Sequence, residues 1–201
     1  ESKRRQQTNV VRVLLLARKF ADANKLLDEV LTQSPRSLPA LRTRMGVRMS
    51  SKATAAERDT AFDAVVTHPD ATPDDLNNVA WARLFYDQGQ AAALALGQRI
   101  EKQMAKLPAH IANTMAAIAA ESNDASLAWH YFVLSRKAKA EMAPLEDSDW
   151  YVLGRIREAY GLRDDAIAAY RMVPPVTEPH DAPMAYDFAQ RGLVRLKAAT
   201  K

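Results

Sequence analysis

Four histidines, His68, His110, His130 and His180, are the residues of this chain best suited to proton transfer or metal binding. None stands in a ligand spacing such as H-E-x-x-H, and the sequence has no cysteine to complete a site as thiolate. His68 precedes Pro69 at the end of a helical stretch, and His130 lies between Trp129 and Tyr131 within another, which are ordinary places for structural histidines. Asp74-Asp75 and Asp147-Ser148-Asp149 could serve as acid–base pairs or bind a cation. Each precedes a helix-forming segment, however, where carboxylates satisfy exposed N–H groups and favour the helix dipole. Capping is the stronger reading. No G-x-x-x-x-G-K-[ST] or G-x-G-x-x-G loop is present to cradle a phosphate. The sequence therefore predicts no catalytic residues, no metal and no cofactor: a protein that is not an enzyme.

The elements that must position these residues are helices. The 201 residues, 48% of them apolar, suffice for a sizeable core. No run of 18 apolar residues could cross a bilayer, so the expectation is a soluble protein without membrane insertion, cytoplasmic by default. The chain opens Glu1-Ser2-Lys3-Arg4-Arg5, without Met, which reads as a segment of a longer protein. Its net charge of +4 hides an asymmetry: residues 1–52 carry twelve Lys/Arg against four Asp/Glu, and the remainder sixteen against twenty. An anionic partner for the basic start is one reading, and two solvated faces the plainer one.

Ala, Leu, Arg, Glu and Gln dominate and alternating Val/Ile/Thr runs are missing, so strands are not expected. Prolines fall between apolar periods rather than inside them. Pro35, Pro69, Pro108 and Pro144 are separated by 34, 39 and 36 residues, the length of one helix pair.

Within one such unit, Trp150-Tyr-Val-Leu153-Gly154, then Tyr160-Gly161, then Ala166-Ile-Ala-Ala-Tyr170 resembles the tetratricopeptide pattern W-x2-L-G-x2-Y followed by A-x3-F. Arg157 stands where the family has Tyr, and the closing Pro is met only approximately by Pro174, Pro175 or Pro179. Phe20 to Leu27 and Ala128 to Phe132 are similar to second halves of a repeat, and Leu76 to Trp81 to a first half. The resemblance implies an all-α, right-handed superhelical solenoid of about five antiparallel helix pairs in one domain. They would lie at 4–37, 38–71, 72–108, 109–144 and 146–179, with a capping helix at 182–199. In the second unit Arg44 and Arg48 occupy core positions, unless the stripe Leu38, Leu41, Met45 and Met49 shifts the register by one.

The resemblance also implies a concave wall, lined by the first helix of each pair, along which partner segments lie. Taking the residue after each small packing residue gives Arg12, Gly46, Arg83, Ala117 and Arg155. Arg5, Arg42, Tyr86, Asn113 and Tyr151 join them by helical spacing. Such Arg residues with Tyr between them suit a carboxylate-bearing or acidic segment, gripped by bidentate hydrogen bonds. The competing reading is that they solubilise the wall or pair with Glu121 and Glu158. The wall does not reproduce the Lys/Asn/Arg clamp with which some members hold C-terminal carboxylates. A protein-interaction scaffold is the leading function. A nucleic-acid-binding repeat has the basic start in its favour, but the acidic remainder and the lack of a continuous basic groove with stacking aromatics count against it. A regulatory or assembly segment of a larger bacterial enzyme is the third reading.

Overall fold

The computed structural model describes residues 10–11, 13–14, 16–86, 89–139, 143–176 and 183–198. Among them every regular element is a helix: α1 (Phe20–Gln33), α2 (Leu38–Ser50), α3 (Ala55–Val66), α4 (Pro73–Phe85), α5 (Gln90–Gln103), α6 (Ala109–Glu121), α7 (Ala125–Ala138), α8 (Asp147–Ala159), α9 (Arg163–Arg171) and α10 (Ala185–Ala198). The chain divides into two compact units, Glu1–Asp75 with His180–Ala182, and Leu76–Pro179 with Pro183–Lys201.

In the first unit, α1 packs on α2 and α2 on α3. Ala23, Leu27, Val30 and Leu31 recur at three and four along α1 and bury one face against Ala40 and Val47 of α2. Val11 joins them from the helical residues before α1. Leu38 and Met45 of α2 are buried, whereas Leu41 and Met49 are half-buried. The anticipated stripe is thus widened by Ala40 and Val47 on a second face. Arg44 and Arg48 are accommodated at its edges by pairing with Asp28 and with Glu57 (2.9 Å for the latter). The ends are set locally: Thr54 and Glu57 form a reciprocal capping box at the start of α3. His68 is buried and satisfied. Its Nδ1 accepts from the Asp70 amide (3.1 Å), which leaves Nε2–H to donate to the Arg36 carbonyl (3.0 Å).

In the second unit, α5 packs on α6, α6 on α7, α7 on α8, and α8 on α9. First helices also meet each other: α6 packs on α8, and α8 on α10. The turn from α6 to α7 and that from α8 to α9 share one geometry. Each places its pivot residue in the left-handed region, Asn123 at φ 58° and Gly161 at φ 75°. The following amide then reaches back to the helix, Asp124 to the Ala119 carbonyl and Leu162 to that of Arg157. Helix α6 is unusual in that Ile111 through Ala120 are all buried. Its alanines let neighbouring backbones approach on every side, which an ordinary amphipathic helix does not permit.

Tyr170 of α9 lies between two glycines, Gly154 of α8 and Gly192 of α10. A Cβ at the first would fall 2.4 Å from its Cε1, and one at the second 2.4 Å from its Cε2. Gly154→Ala and Gly192→Ala should therefore each destabilise by about 1–3 kcal/mol, because overpacking outweighs the helix-propensity gain. Gly46→Ala in α2, where nothing lies within 4 Å of the added atom, should instead raise stability by about 0.5–1 kcal/mol. Urea unfolding of the three variants checks both signs.

Candidate partner-binding wall

The N-terminal turns of α4 and α8 carry the four aspartates singled out by the sequence, and of these Asp75 and Asp149 act as caps. Asp75 accepts from the Thr72 amide (2.8 Å) while its own amide donates to the Thr72 hydroxyl. Asp149 accepts from the Glu146 amide (3.0 Å) and forms a capping box with it. Each is also held by the fifth residue of an earlier first helix. Arg42 of α2 grips Asp75 with two bonds of 2.6 Å, and Asn113 of α6 donates to Asp149 at 2.7 Å. Asp149 is fully buried and takes two further cations, Arg136 (3.2 Å) and Lys139 (2.9 Å). The same position in α4 is Asn77, and the third residue of α6 is the apolar Ile111. Asn77 Oδ1 is buried without a partner.

A second network joins the C-terminal halves of these helices. Glu121 of α6 accepts from the Tyr151 hydroxyl (2.7 Å) and from Arg155 Nε (2.9 Å). Arg155 donates on to Asn123 (3.2 Å) and lies 3.5 Å from Glu158. Glu158 takes a bidentate pair from Arg195 of α10 (2.5 and 2.7 Å) and the Tyr170 hydroxyl at 2.6 Å. The charges thus alternate from Glu121 to Arg155 to Glu158 to Arg195. Burial, reinforced by the Glu121 carboxylate, pushes the Tyr151 phenol well above its ordinary value, and it stays a donor. For Glu158 burial acts upward, but the bonds from Arg195 and Tyr170 prevail and hold its carboxyl below the usual range. Asp75 behaves alike: burial is overcome by Arg42 and Thr72.

Aromatic rings close the space in front of this network. Phe188 of α10 stands 4.9 Å from Trp81 of α4 and 4.9 Å from Tyr151 of α8, centroid to centroid. Trp81 meets Tyr151 edge-on at 6.0 Å and donates its indole N–H to the Pro183 carbonyl (3.0 Å). Arg191 of α10 lies 3.7 Å over the Phe85 ring and donates to the Phe85 carbonyl (2.5 Å). Helix α10 therefore covers a face of α8.

The residues assigned to the wall by sequence separate accordingly. Arg5 and Arg12 lie outside the described residues, as does His180. Asn113, Tyr151 and Arg155 are buried, and every contact described above is with the protein itself. Arg155 pairs with Glu121 and Glu158, which was the competing reading of these arginines. Arg42 keeps 42% of its side chain exposed but commits two nitrogens to Asp75. Arg83 and Tyr86, at and just beyond the end of α4, are half-buried. Beside them opens a cleft of about 440 Å3, lined by Phe85, Asp187, Gln190, Arg191, Val194 and Arg195. Val194 is 66% exposed. Sequence reasoning missed Phe188, Arg191 and Asp149 as connectors; the Phe188–Arg191–Arg195 spacing on one helix was the available signal. No group of His, Asp and Glu capable of holding a metal occurs among the described residues, and no described helix is long and apolar enough to cross a membrane.

No family model matches the sequence, and no curated protein matches it. The fold is similar to that of PilW, whose crystal structure is described as that of a widely conserved type IV pilus biogenesis factor. The TM-score is 0.67 at 13% identity, covering 100% of this chain and 87% of the PilW chain. The likeness is one of fold.

The depressed carboxyls make stability depend on pH. Asp75 and Glu158 bind protons less readily folded than unfolded, so their contribution is present above the ordinary carboxylate values and lost as pH falls through the folded ones. The thermal midpoint should stay level from about pH 7 to about pH 5 and drop below about pH 4. Arg195→Gln should lessen that drop by removing the main partner of Glu158. A flat profile in the unsubstituted protein would contradict these pairings.

Proposed function

We propose that the protein is a tetratricopeptide-like interaction scaffold that holds a segment of a partner protein at the open end of its first-helix wall. The observation that carries this reading is the division of the wall itself. Tyr151, Arg155 and Asn113 are consumed by internal bonds, while the Phe85–Arg191–Val194 cleft carries the exposed Val194. Aromatic, arginine and aliphatic side chains around one depression are the composition that anchors partner segments. Arg195 and Arg191 are held by Glu158 and Phe85, so the partner chemistry that suits the cleft is an apolar side chain covering Val194, with any carboxylate meeting the outer edges of these guanidinium groups. The fold likeness to a pilus biogenesis factor supports assembly work rather than turnover of a small substrate.

Nucleic-acid binding remains the second reading, favoured by the basic first quarter of the chain. It would show a steep loss of affinity with salt. The experiment is affinity capture from the source lysate with the protein and a Val194→Asp/Arg83→Glu variant, both checked for native helicity. Arg155→Glu is unsuitable as a control, because it would place two buried carboxylates against each other. Partner proteins retained by the unsubstituted protein and lost by the variant are the expected result. Retention by both would move the interface off this cleft, and recovery of nucleic acid alone would favour the second reading.

A further inference from the structure

A second depression lies between the end of α5 and the last turns of α7. It has a volume of about 430 Å3 and an apolar floor of Met104, Leu107 and Leu134. Leu134 is 36% exposed although α7 buries Ala128, Tyr131, Phe132 and Ser135 on its inner side. Lys106 and Lys137 stand at the rim, both exposed, and no ion pair engages either among the described residues. The one carboxylate lining the depression, Glu101, is occupied by the Tyr131 hydroxyl. Burial and that carboxylate both raise the Tyr131 phenol, so the bond persists at neutral pH. The neighbouring Lys139 differs: it is turned inward onto Asp149 and Glu146. Two exposed lysines against the single Glu101 carboxylate leave the described lining of the cleft net positive around its aliphatic residues.

We infer that this α5–α7 cleft is a docking site for an acidic segment of a partner protein that inserts an aliphatic side chain over Leu134 while its carboxylates meet Lys106 and Lys137. Charge complementarity selects the sign of the partner, and the apolar floor selects its kind. A nucleic-acid strand would need stacking aromatics and a continuing basic track, whereas Met104, Leu107 and Leu134 offer aliphatic contact alone. The inference rests on the reading of the protein as a binding scaffold, but concerns a surface separate from the Phe85–Arg191 cleft.

The test uses the full chain and two labelled peptides of equal charge, one rich in Glu with Leu at helical spacing, the other with every Leu replaced by Ser. Fluorescence anisotropy is measured for the unsubstituted protein, Leu134→Ser and Lys106→Glu/Lys137→Glu, all at exposed positions and confirmed folded by circular dichroism. The Leu peptide should bind the unsubstituted protein. Leu134→Ser should weaken it about fivefold to tenfold, and the double Glu variant by about tenfold or more. Equal binding of the two peptides, variants indistinguishable from the unsubstituted protein, no binding of the Leu peptide, or tighter binding of a single-stranded oligonucleotide would each overturn the inference. The same two variants in the lysate capture separate this failure from that of the scaffold reading. A partner retained by both overturns the α5–α7 cleft and leaves the scaffold standing, whereas no partner captured by the unsubstituted protein counts against the scaffold itself.

Discussion

A carboxylate buried where helices meet must be paired, and Asp149 is where the second unit meets that requirement most fully. It caps its own helix, receives Asn113 from α6, and is neutralised by Arg136 and Lys139 from the end of α7. One side chain therefore fixes the start of α8 against both helices of the preceding pair. An error in register would leave a charge in a dry interior, at a cost of several kcal/mol. Asp75 plays the same part in the first unit with Arg42 as its partner, but there the guanidinium is partly solvated and the penalty for losing it is smaller. Asn77, the fifth residue of α4, has no such partner, and its buried side-chain oxygen is left without a bond.

The alternating chain from Glu121 to Arg195 and the rings of Trp81, Tyr151 and Phe188 then determine what the wall can do. Hydrogen bonds among charged groups are favourable in such surroundings only when every member is satisfied, and here Glu121, Arg155 and Glu158 each have at least two partners. A partner segment could reach Tyr151 or Arg155 only by breaking this network and displacing α10. Val194 and Leu134 remain exposed outside it.

The sequence made the helical character plain because prolines, caps and apolar spacing are local signals, and Pro35, Pro69, Pro108 and Pro144 all fall between helices. The buried face of α10 was equally legible, since Ala185, Phe188, Ala189 and Leu196 recur at helical spacing. What lies against that face was not. Periodicity gives the direction of Phe188 relative to its own helix and is silent about Trp81, which belongs to a helix far earlier in the chain. For the same reason Arg155 read as facing a partner: the spacing that points a side chain to the wall does not say that Glu121 already fills the space. Helix α6 held the missed clue, because Ile111 to Ala120 is apolar or small nearly all round and such a helix has to be covered on every side.

Trp81 and Phe188 join α10 to α4 by ring contact. A double-mutant cycle of Trp81→Ala and Phe188→Ala, measured by urea unfolding, tests it directly. The two residues should be coupled by about 1 kcal/mol, the range of a packed aromatic pair. Effects that add to within about 0.3 kcal/mol would show the rings to be independent.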